Sequence, residues 1–452
     1  MNDNKIMKRI KMTDDLLSQY IKSHPGSSQL HERALEIFSA NGSTHSGRVV
    51  FPHGPYIVMA NGCREWDVDN NEYIDYKMGH GALILGHCHP DIVQAIHDQI
   101  PKGVHYSNDN PLEIEWAMLI RKMMPSAERV EFFSCGQEAN MMALRLSRVI
   151  TGRKKVLRFK EHFHGWADEL VVETSPGIMS EYVTVIPSNN LELVEKELAT
   201  KEYAVLLTEA GGGSMGGKIP METSFVRALG NLTKKYGTLW HMDEVVTGFR
   251  DAPGGWQSLV NVKPDLTSLG KCTAGGLGVG ALIGRADIFE AFNPNTPVDR
   301  RINHSGTWNA NPLTSAAGIA ACKLYQNGDV QQITSEIAAL FRRKANKLFR
   351  EMKVNARLYS RSMAHLYLGP IDYDTEDDTT LPTKDIRNVV NPALLKIQKR
   401  LMLHLLQRGI ATPGARFFCF SIAHKTEDVD FTIQALADSI ETMIGEGTFT
   451  GI

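Results

Sequence analysis

The chain has 452 residues, of which 42% are hydrophobic, 22% charged and 8% aromatic, a composition typical of an ordinary globular protein. Its 49 basic and 51 acidic side chains leave a formal net charge of −2, which provides no general attraction to nucleic acid or to anionic membranes. No hydrophobic run approaches the roughly 18 residues that span a bilayer, and the charged start of the chain predicts no secretory signal. The six cysteines are scattered without a Cys-x-x-Cys pair, so we expect reduced thiols and a cytoplasmic protein.

The first half of the chain predicts a hairpin and then an alternation of strands and helices. In residues 55–76, Tyr56–Met59 and Tyr73–Tyr76 flank the turn-forming stretch Asp67–Asn71. From about residue 128, short hydrophobic runs alternate with helical patterns. The predicted strands are Val130–Phe133, Lys155–Phe159, Tyr203–Thr208, Thr238–Met242, Leu266–Leu269 and Val279–Ile283, and the predicted helices include Gln137–Val149 and Ser224–Tyr236. This alternation predicts an α/β fold with a mostly parallel sheet covered by helices on both faces.

The pattern changes after about residue 330. Long charged helices are predicted at Gln331–Val354 and Leu394–Gly409, on either side of an acidic stretch, Tyr373–Thr380, that we interpret as an exposed loop. The runs Ala364–Leu368 and Phe417–Ile422 predict strands of a smaller α+β domain. We therefore expect an N-terminal segment with part of the small domain in residues 1–75, a large domain in 76–330 and the rest of the small domain in 331–452.

Two glycine-rich motifs and one histidine motif are incomplete. Gly211, Gly213 and Gly216 have the spacing of a dinucleotide-binding fingerprint, but residues 218–220 do not open the helix that the fingerprint requires. The same stretch lacks the hydroxyl that ends a phosphate-binding P-loop. A zinc site starting from the His-Cys-His run at 87–89 is a further alternative. No later spacing completes its ligand set, so no metal is predicted.

Three segments at the ends of predicted strands point to chemistry. Asp243 follows a buried strand, where a carboxylate is costly unless it meets a cation or a donor. Lys271 ends another strand and is followed by small residues that leave space around its ammonium group. Residues 134–137 join a strand to a helix, where backbone amides and the helix dipole favour a phosphate. A phosphate cradle, a buried carboxylate and a lysine that can lose its proton are the parts that pyridoxal 5′-phosphate (PLP) requires.

These residues also carry a resemblance to a known family. Over essentially its whole length the chain resembles the class III aminotransferases, PLP-dependent enzymes of fold type I. Within them it is most similar to the branch of the glutamate-1-semialdehyde aminomutases and the D-phenylglycine aminotransferases. The matching motifs are Trp66–Asp69, Tyr73–Asp75, GALILGHCHP at 81–90, GQEAN at 136–140, Phe163–Trp166, DEVVTGFR at 243–250, Leu269–Gly276 and HSGTWNANP at 304–312. The resemblance implies a large α/β domain with a mostly parallel mixed sheet and a smaller α+β domain built from both chain ends.

The resemblance implies a role around the cofactor ring for each of five residues. Lys271 would form the Schiff base with PLP and move the substrate's proton. Asp243 would pair with the pyridine nitrogen, with His164 supporting that carboxylate. Val245 and Phe163 would pack against the two faces of the ring.

The same resemblance implies the phosphate contacts and the assembly. Cys135, Gly136 and Gln137 would line the phosphate, where relatives commonly have Ser-Gly-Thr, so that a side-chain hydroxyl contact is lost. Thr307 would reach the phosphate of the neighbouring subunit, which implies an obligate homodimer.

The substrate residues follow from position and chemistry. Arg48 stands where this branch binds the substrate carboxylate, which the planar guanidinium fork suits, and Arg416 is a second candidate. His80 replaces the tryptophan of the aminomutases, and the stretch after Gly165 is shorter than the loop that closes their site. We therefore predict ping-pong transfer of an amino group from an amino acid to a 2-oxo acid. The alternatives are intramolecular transfer of the glutamate-1-semialdehyde aminomutase type and, more distantly, a metal hydrolase without PLP.

Overall fold

The computed structural model describes residues 15–39, 41–171, 175–372 and 379–449. Most of the acidic stretch interpreted as a loop, residues 373–378, lies outside this part of the chain. The helices are α1 (Asp15–Ser23), α2 (Pro25–Ile37), α3 (Met78–Gly81), α4 (Pro90–Gln99), α5 (Pro111–Met123), α6 (Gly136–Thr151), α7 (Leu191–Leu198), α8 (Thr223–Tyr236), α9 (Gly255–Leu259), α10 (Ala286–Phe289), α11 (Pro312–Tyr325), α12 (Asp329–Glu351), α13 (Ile386–Val389), α14 (Leu394–Gln407) and α15 (Thr426–Gly445).

The strands overlap each of the predicted hydrophobic runs and also include several segments that the sequence did not predict. They are β1 (Ile57–Asn61), β2 (Arg64–Asp67), β3 (Glu72–Asp75), β4 (Arg129–Phe133), β5 (Lys155–Phe159), β6 (Val183–Ile186), β7 (Tyr203–Glu209), β8 (Gly212–Gly213), β9 (Ile219–Pro220), β10 (Leu239–Glu244), β11 (Leu266–Leu269), β12 (Gly280–Gly284), β13 (Ala356–Ser360), β14 (Met363–Leu368), β15 (Ile410–Ala411) and β16 (Phe417–Cys419). Among the described residues, no helix is long and hydrophobic enough to cross a membrane.

A seven-stranded sheet in the order β4-β12-β11-β10-β7-β5-β6 forms the centre of the fold. β12 runs antiparallel to both of its neighbours, and the other pairs are parallel. Successive side chains of a strand point to opposite faces. Leu282 of β12 accordingly shares a hydrophobic cluster with Ala143 of α6, whereas Ile283 shares one with Trp116 of α5. Helices therefore cover both faces, which confirms the predicted α/β architecture.

The direction of the strands determines where the functional residues meet. Since β4, β5, β7, β10 and β11 all run in the same direction, their carboxyl ends lie at one edge of the sheet. In open α/β sheets, ligands bind at this edge. The loops that leave it include the start of α6 after β4 and the short turn Lys271–Ala274 after β11.

The two ends of the chain share a second core. One hydrophobic cluster contains Tyr20 and Tyr76 from the N-terminal part together with Phe341, Phe418 and Leu436 from the C-terminal part. β15, from the C-terminal part, extends the sheet of β1, β2 and β3 and lies parallel to β3. β13, β14 and β16 form a separate antiparallel sheet. These contacts bring both chain ends to one side of the cavity described below.

The hairpin predicted for residues 55–76 is wrong in one respect, because three strands occupy this segment. β1 pairs antiparallel with β2, and β2 with β3. The first turn is tight, with Asn61 paired to Arg64, and Gly62 adopts a φ of +57° that favours glycine. The hydrophobic pattern marked the outer strands, whereas β2 is a short strand of charged and aromatic residues that follows this turn.

Candidate active site

Asp243 is held in one orientation at the carboxyl end of β10, where it is 4% exposed. Its Oδ2 accepts hydrogen bonds from His164 Nδ1 at 2.8 Å and from Asn140 Nδ2 at 2.8 Å. Its Oδ1 accepts one from the backbone amide of Val245 at 2.9 Å. Burial by itself would raise the pKa of Asp243, but the hydrogen bond from His164 and the other donors bring it below its ordinary value. The side chain is therefore an ionised carboxylate suited to holding a protonated nitrogen.

Lys271 is separated from the end of β11 by Gly270 and begins the short turn Lys271–Ala274. Its φ of +43° lies in the left-handed region that residues other than glycine rarely adopt. Such backbone strain costs of order 1–3 kcal/mol and persists only where the surroundings impose it. Burial lowers the pKa of Lys271, although the charges of Asp243 and Glu209 oppose this effect. The amine loses its proton more readily than an exposed lysine would, as a nucleophilic lysine requires.

Two glycines bring the backbone close to Val245. A Cβ placed on Gly136 would lie 2.4 Å from Val245 Cγ2, and one placed on Gly270 would lie 3.0 Å from Val245 Cγ1. Val245 follows Asp243 by two residues, so the methyl groups of Val245 lie between the start of α6 and the segment before Lys271. This arrangement requires glycine at Gly136 and leaves little room for a side chain at Gly270.

The start of α6 provides a phosphate cradle. Gly136 begins the helix, and Cys135 precedes it without a side-chain hydrogen bond to the helix end. The first amides of a helix have no acceptors within it, and they lie at its positive end. Gln137 Oε1 accepts a hydrogen bond from the backbone amide of Trp166 at 2.6 Å, which ties the segment after Phe163 to this cradle. The amides at the helix start, the ionised Asp243 and a lysine whose pKa is lowered by burial together fit PLP.

A cavity of about 790 Å³ adjoins this group and is lined by Arg48, His80, Phe163 and Arg416. The cavity approaches Lys271 through His80, which lines it and on which the charge of Lys271 acts. An added Cβ on the adjacent Gly81 would lie 3.8 Å from Lys271 Cδ. Phe163 is 40% exposed. The structure thus brings four of the predicted ring and substrate residues together beside Lys271.

The arginine and histidine side chains of the cavity differ in charge. In the described part of the chain, neither Arg48 nor Arg416 forms an ion pair with a carboxylate, and burial lowers the pKa of Arg416. His80 stacks on His45, with ring centroids 4.6 Å apart and an angle of 14° between the planes. Burial, followed by the charges of His45 and Arg48, lowers the pKa of His80 to about 4. Among the described residues, the cavity therefore combines two guanidinium groups that have no carboxylate partner with an imidazole that is neutral at neutral pH, although Arg416 Nε donates to the backbone carbonyl of Pro413.

Thr307 lies apart from this group in the single chain. It lines a different surface cavity, of about 390 Å³, and its backbone carbonyl accepts a hydrogen bond from His105 Nε2 at 2.6 Å. A contact between Thr307 and a phosphate in a partner subunit stays a prediction.

The sequence analysis did not identify Glu209 as a site residue. Glu209 Oε2 accepts hydrogen bonds from the backbone amides of Phe163 at 3.0 Å and Ser214 at 2.8 Å, and Oε1 accepts one from Gly216 at 3.1 Å. Burial raises the pKa of Glu209 to about 7. The glycine-rich stretch considered for nucleotide binding is thus the loop of β8 and β9, held by Glu209. An acidic residue that a single alanine separates from the glycines is the only signal the sequence offers.

Fold and site together define the class of this protein, the PLP-dependent transferases of fold type I. Residues 50–358 match the family model described as aminotransferase class-III, and the chain belongs to that family. The predicted enzyme class and cofactor are thereby confirmed.

The similar proteins are named either as aminomutases or as aminotransferases. The glutamate-1-semialdehyde 2,1-aminomutase of Sulfurisphaera tokodaii is 34% identical over 431 residues, which cover 91% of this chain and 98% of that protein. An omega-transaminase from Sphaerobacter thermophilus has a TM-score of 0.84 and 28% identity, with 93% of this chain and 99% of that chain covered. A β-phenylalanine aminotransferase from Variovorax paradoxus has a TM-score of 0.85 and 27% identity, with 95% and 97% covered.

Proposed function

We propose that this chain transfers an amino group from a carboxylate-bearing amino acid to a 2-oxo acid in a ping-pong reaction. The observation that carries this proposal is the cavity beside Lys271, in which Arg48 and Arg416 offer guanidinium groups without carboxylate partners. A guanidinium binds a carboxylate through two parallel hydrogen bonds. The omega-transaminase and the β-phenylalanine aminotransferase, at 28% and 27% identity, support intermolecular transfer.

The segment after Phe163 adds support for exchange of substrates. In its described part, Trp166 lines the cavity and is 67% exposed, and Met179 is 83% exposed. These exposures support a site that the first product can leave and the acceptor can enter, as a ping-pong reaction requires.

Intramolecular transfer of the glutamate-1-semialdehyde aminomutase type is the second candidate. Curated relatives that are 32–35% identical to this chain carry that name. Because they are more similar in sequence than the solved aminotransferases, the comparisons favour this candidate over the first. The neutral His80 and the open segment around Trp166 favour the first.

Either reaction would use the residues around Lys271 in the same way. PLP, when bound, withdraws electrons from the substrate carbon that carries the amino group. Asp243 would keep the ring nitrogen protonated, and the amide groups of Gly136 and Gln137 would hold the phosphate. Lys271 Nζ would take the proton from the substrate carbon and deliver it to the cofactor's C4′ carbon. Val245 and Phe163 would fix the plane in which this exchange takes place.

The decisive experiment is a comparison of turnover with and without an acceptor. A panel of L- and D-amino acids, β-amino acids and glutamate-1-semialdehyde is supplied alone and then with 2-oxoglutarate. We expect the donor to be consumed only with the acceptor, and the acceptor to appear as an amino acid. Isomerisation of a donor without any acceptor would instead establish the second candidate.

Lys271→Ala tests the site itself. We expect this variant to lose the visible absorption band that borohydride reduces in the holoenzyme. Lys263→Ala is the matched control, since Lys263 lies at the surface in an ion pair with Glu128. An unchanged band in Lys271→Ala would contradict the assignment of the lysine.

The proposal also includes the oligomeric state, the domain limits and the cellular location of the protein. Trp308, next to Thr307, is 61% exposed and packs edge-on against His105, which supports a subunit interface at this position. The core shared by the two chain ends supports domain limits near residues 75 and 330. The six unpaired cysteines support a cytoplasmic location. Size-exclusion chromatography with light scattering tests the homodimer, and a monomeric holoenzyme would exclude the role of Thr307.

A further inference from the structure

A buried polar group lies behind Asp243, on the side away from the cavity. It consists of Asn140 from α6, His241 from β10 and Ser268 from β11, none of them more than 1% exposed. Asn140 connects the other two to Asp243, because its side-chain amide contacts all three. Polar side chains in a sheet core are costly unless they are hydrogen-bonded.

The contacts determine the orientation of the Asn140 amide. Its Nδ2 donates to Asp243 Oδ2 at 2.8 Å and to the backbone carbonyl of His164 at 2.9 Å. Both partners are acceptors only, so the nitrogen must face them. The Oδ1 of Asn140 then accepts from Ser268 Oγ at 2.6 Å and from His241 Nε2 at 2.9 Å. All four hydrogen-bonding positions of the amide are filled.

This orientation also determines the state of His241. Because Asn140 Oδ1 is an acceptor, His241 Nε2 must carry a hydrogen. Burial lowers the pKa of His241 to about 4, so the ring is neutral at neutral pH and keeps its Nε2 hydrogen. A neutral ring donates to Asn140 without placing a positive charge in the core.

The other ionisable groups near Asp243 come from each neighbouring segment. They are His162 and His164 after β5, Glu209 at the end of β7, His241 on β10 and Lys271 after β11. Of these, His164 donates directly to Asp243 Oδ2. Asn140 supplies a second donor to the same oxygen, and it does so without a charge of its own.

We propose that Asn140, oriented by His241 and Ser268, is a positioning residue that keeps Asp243 ionised and directed at the ring nitrogen of the cofactor. The inference rests on the proposed pairing of Asp243 with that nitrogen. Removal of the Asn140 donor leaves Asp243 with His164 on Oδ2 and the Val245 amide on Oδ1, so that the carboxylate is held less firmly toward the ring nitrogen. The ring nitrogen then loses part of the negative charge that holds its proton.

The test compares variants that keep or remove each donor. Asn140→Leu has nearly the same shape and no donor. His241→Leu removes the group that orients the amide, whereas His241→Gln places a donating amide nitrogen at about the position of Nε2. Ser147→Ala is the matched control on α6, because Ser147 is buried and its Oγ donates to Ala143 O within the helix. Asp243→Asn tests the pairing on which the inference rests.

Two measurements separate a positioning role from a structural one. The first is the Kd for PLP, from fluorescence titration of each apoprotein. The second is nitrogen-15 NMR of PLP labelled at the ring nitrogen, which reports the pH at which that nitrogen loses its proton. We expect Asn140→Leu to weaken PLP binding about ten-fold, as the loss of a hydrogen bond to a charged group implies. We also expect it to lower that pH.

The remaining variants complete the expected pattern. His241→Leu should change both quantities in the same direction, and His241→Gln and Ser147→Ala should stay within about two-fold of the wild type in Kd. The inference is overturned if Asp243→Asn impairs both quantities while Asn140→Leu leaves them unchanged. If Asn140→Leu does not fold, equal behaviour of His241→Leu and His241→Gln overturns it. If Asp243→Asn itself changes neither quantity, the proposed pairing fails.

Discussion

Replacement of Gly136 by alanine should damage the phosphate cradle through one contact. The added Cβ would lie 2.4 Å from Val245 Cγ2 and 2.9 Å from Val245 Cγ1, much closer than two carbon atoms can approach. Overpacking of this kind costs about 1–3 kcal/mol, and the greater helix propensity of alanine returns at most about 1 kcal/mol. We therefore expect the free energy of unfolding of the apoprotein to fall by about 1–2 kcal/mol. The displaced helix start should also bind PLP more weakly.

The assay is urea denaturation of the apoprotein together with fluorescence titration of PLP. Val245→Ala in the same chain removes both methyl groups that the new Cβ would meet, so the double variant should recover part of the stability. Gly445→Ala, at the end of α15, is the matched control, because an added Cβ there has no neighbour within 4 Å. Gly136→Ala with unchanged stability and PLP affinity would refute the reasoning, as would a double variant without any recovery.

Three further outcomes follow from the site. Burial raises the pKa of Glu209 to about 7 from an ordinary value of 4.5, so its contribution to stability is present below pH 4.5 and is lost as the pH rises to about 7. Glu209→Gln should remove this loss, which amounts to up to about 3 kcal/mol in the free energy of unfolding of the apoprotein. An unchanged dependence of that free energy on pH would contradict this. Arg48→Ala and Arg416→Ala should raise KM for carboxylate-bearing donors far more than for simple amines, and equal effects would reject a carboxylate role. Gln137→Ala should free the segment at Trp166 and increase its proteolysis by chymotrypsin, which cleaves after aromatic residues such as Phe163 and Trp166, and an unchanged cleavage rate would show that the 2.6 Å contact is unimportant.

Six of the seven strands of the large sheet could be predicted because they are nearly continuous hydrophobic runs, whereas the edge strand β6 was not predicted. Lys155–Phe159 and Leu266–Leu269 have the predicted limits, and both lie inside the sheet. The segment 55–76 was harder, since β2 has a mixed composition and depends on its neighbours for its strand structure. The pairing of β15 with β3 could not be predicted, because two residues carry no periodicity and their partner is distant in the chain.

The residues of the candidate site also differ in whether they could be predicted from the sequence. Asp243 and Lys271 could be predicted because each is a charged residue directly after a hydrophobic run. Asn140 and Glu209 could not, since their roles depend on partners from three or more segments that only the fold brings together. The position of Arg48 was predicted from resemblance, and its place in the cavity depends on the N-terminal segment folding back over the sheet edge.

The residues that line the cavity come from distant parts of the chain, which affects when the site can form during synthesis on the ribosome. The groups that we propose to contact the cofactor, from Gly136 to Lys271, are present once the middle of the chain has been made. Arg48 and Arg416 line one cavity but come from opposite ends of the chain. The nascent chain can therefore assemble the cofactor groups early, whereas the substrate wall is complete only after almost the entire chain has left the ribosome.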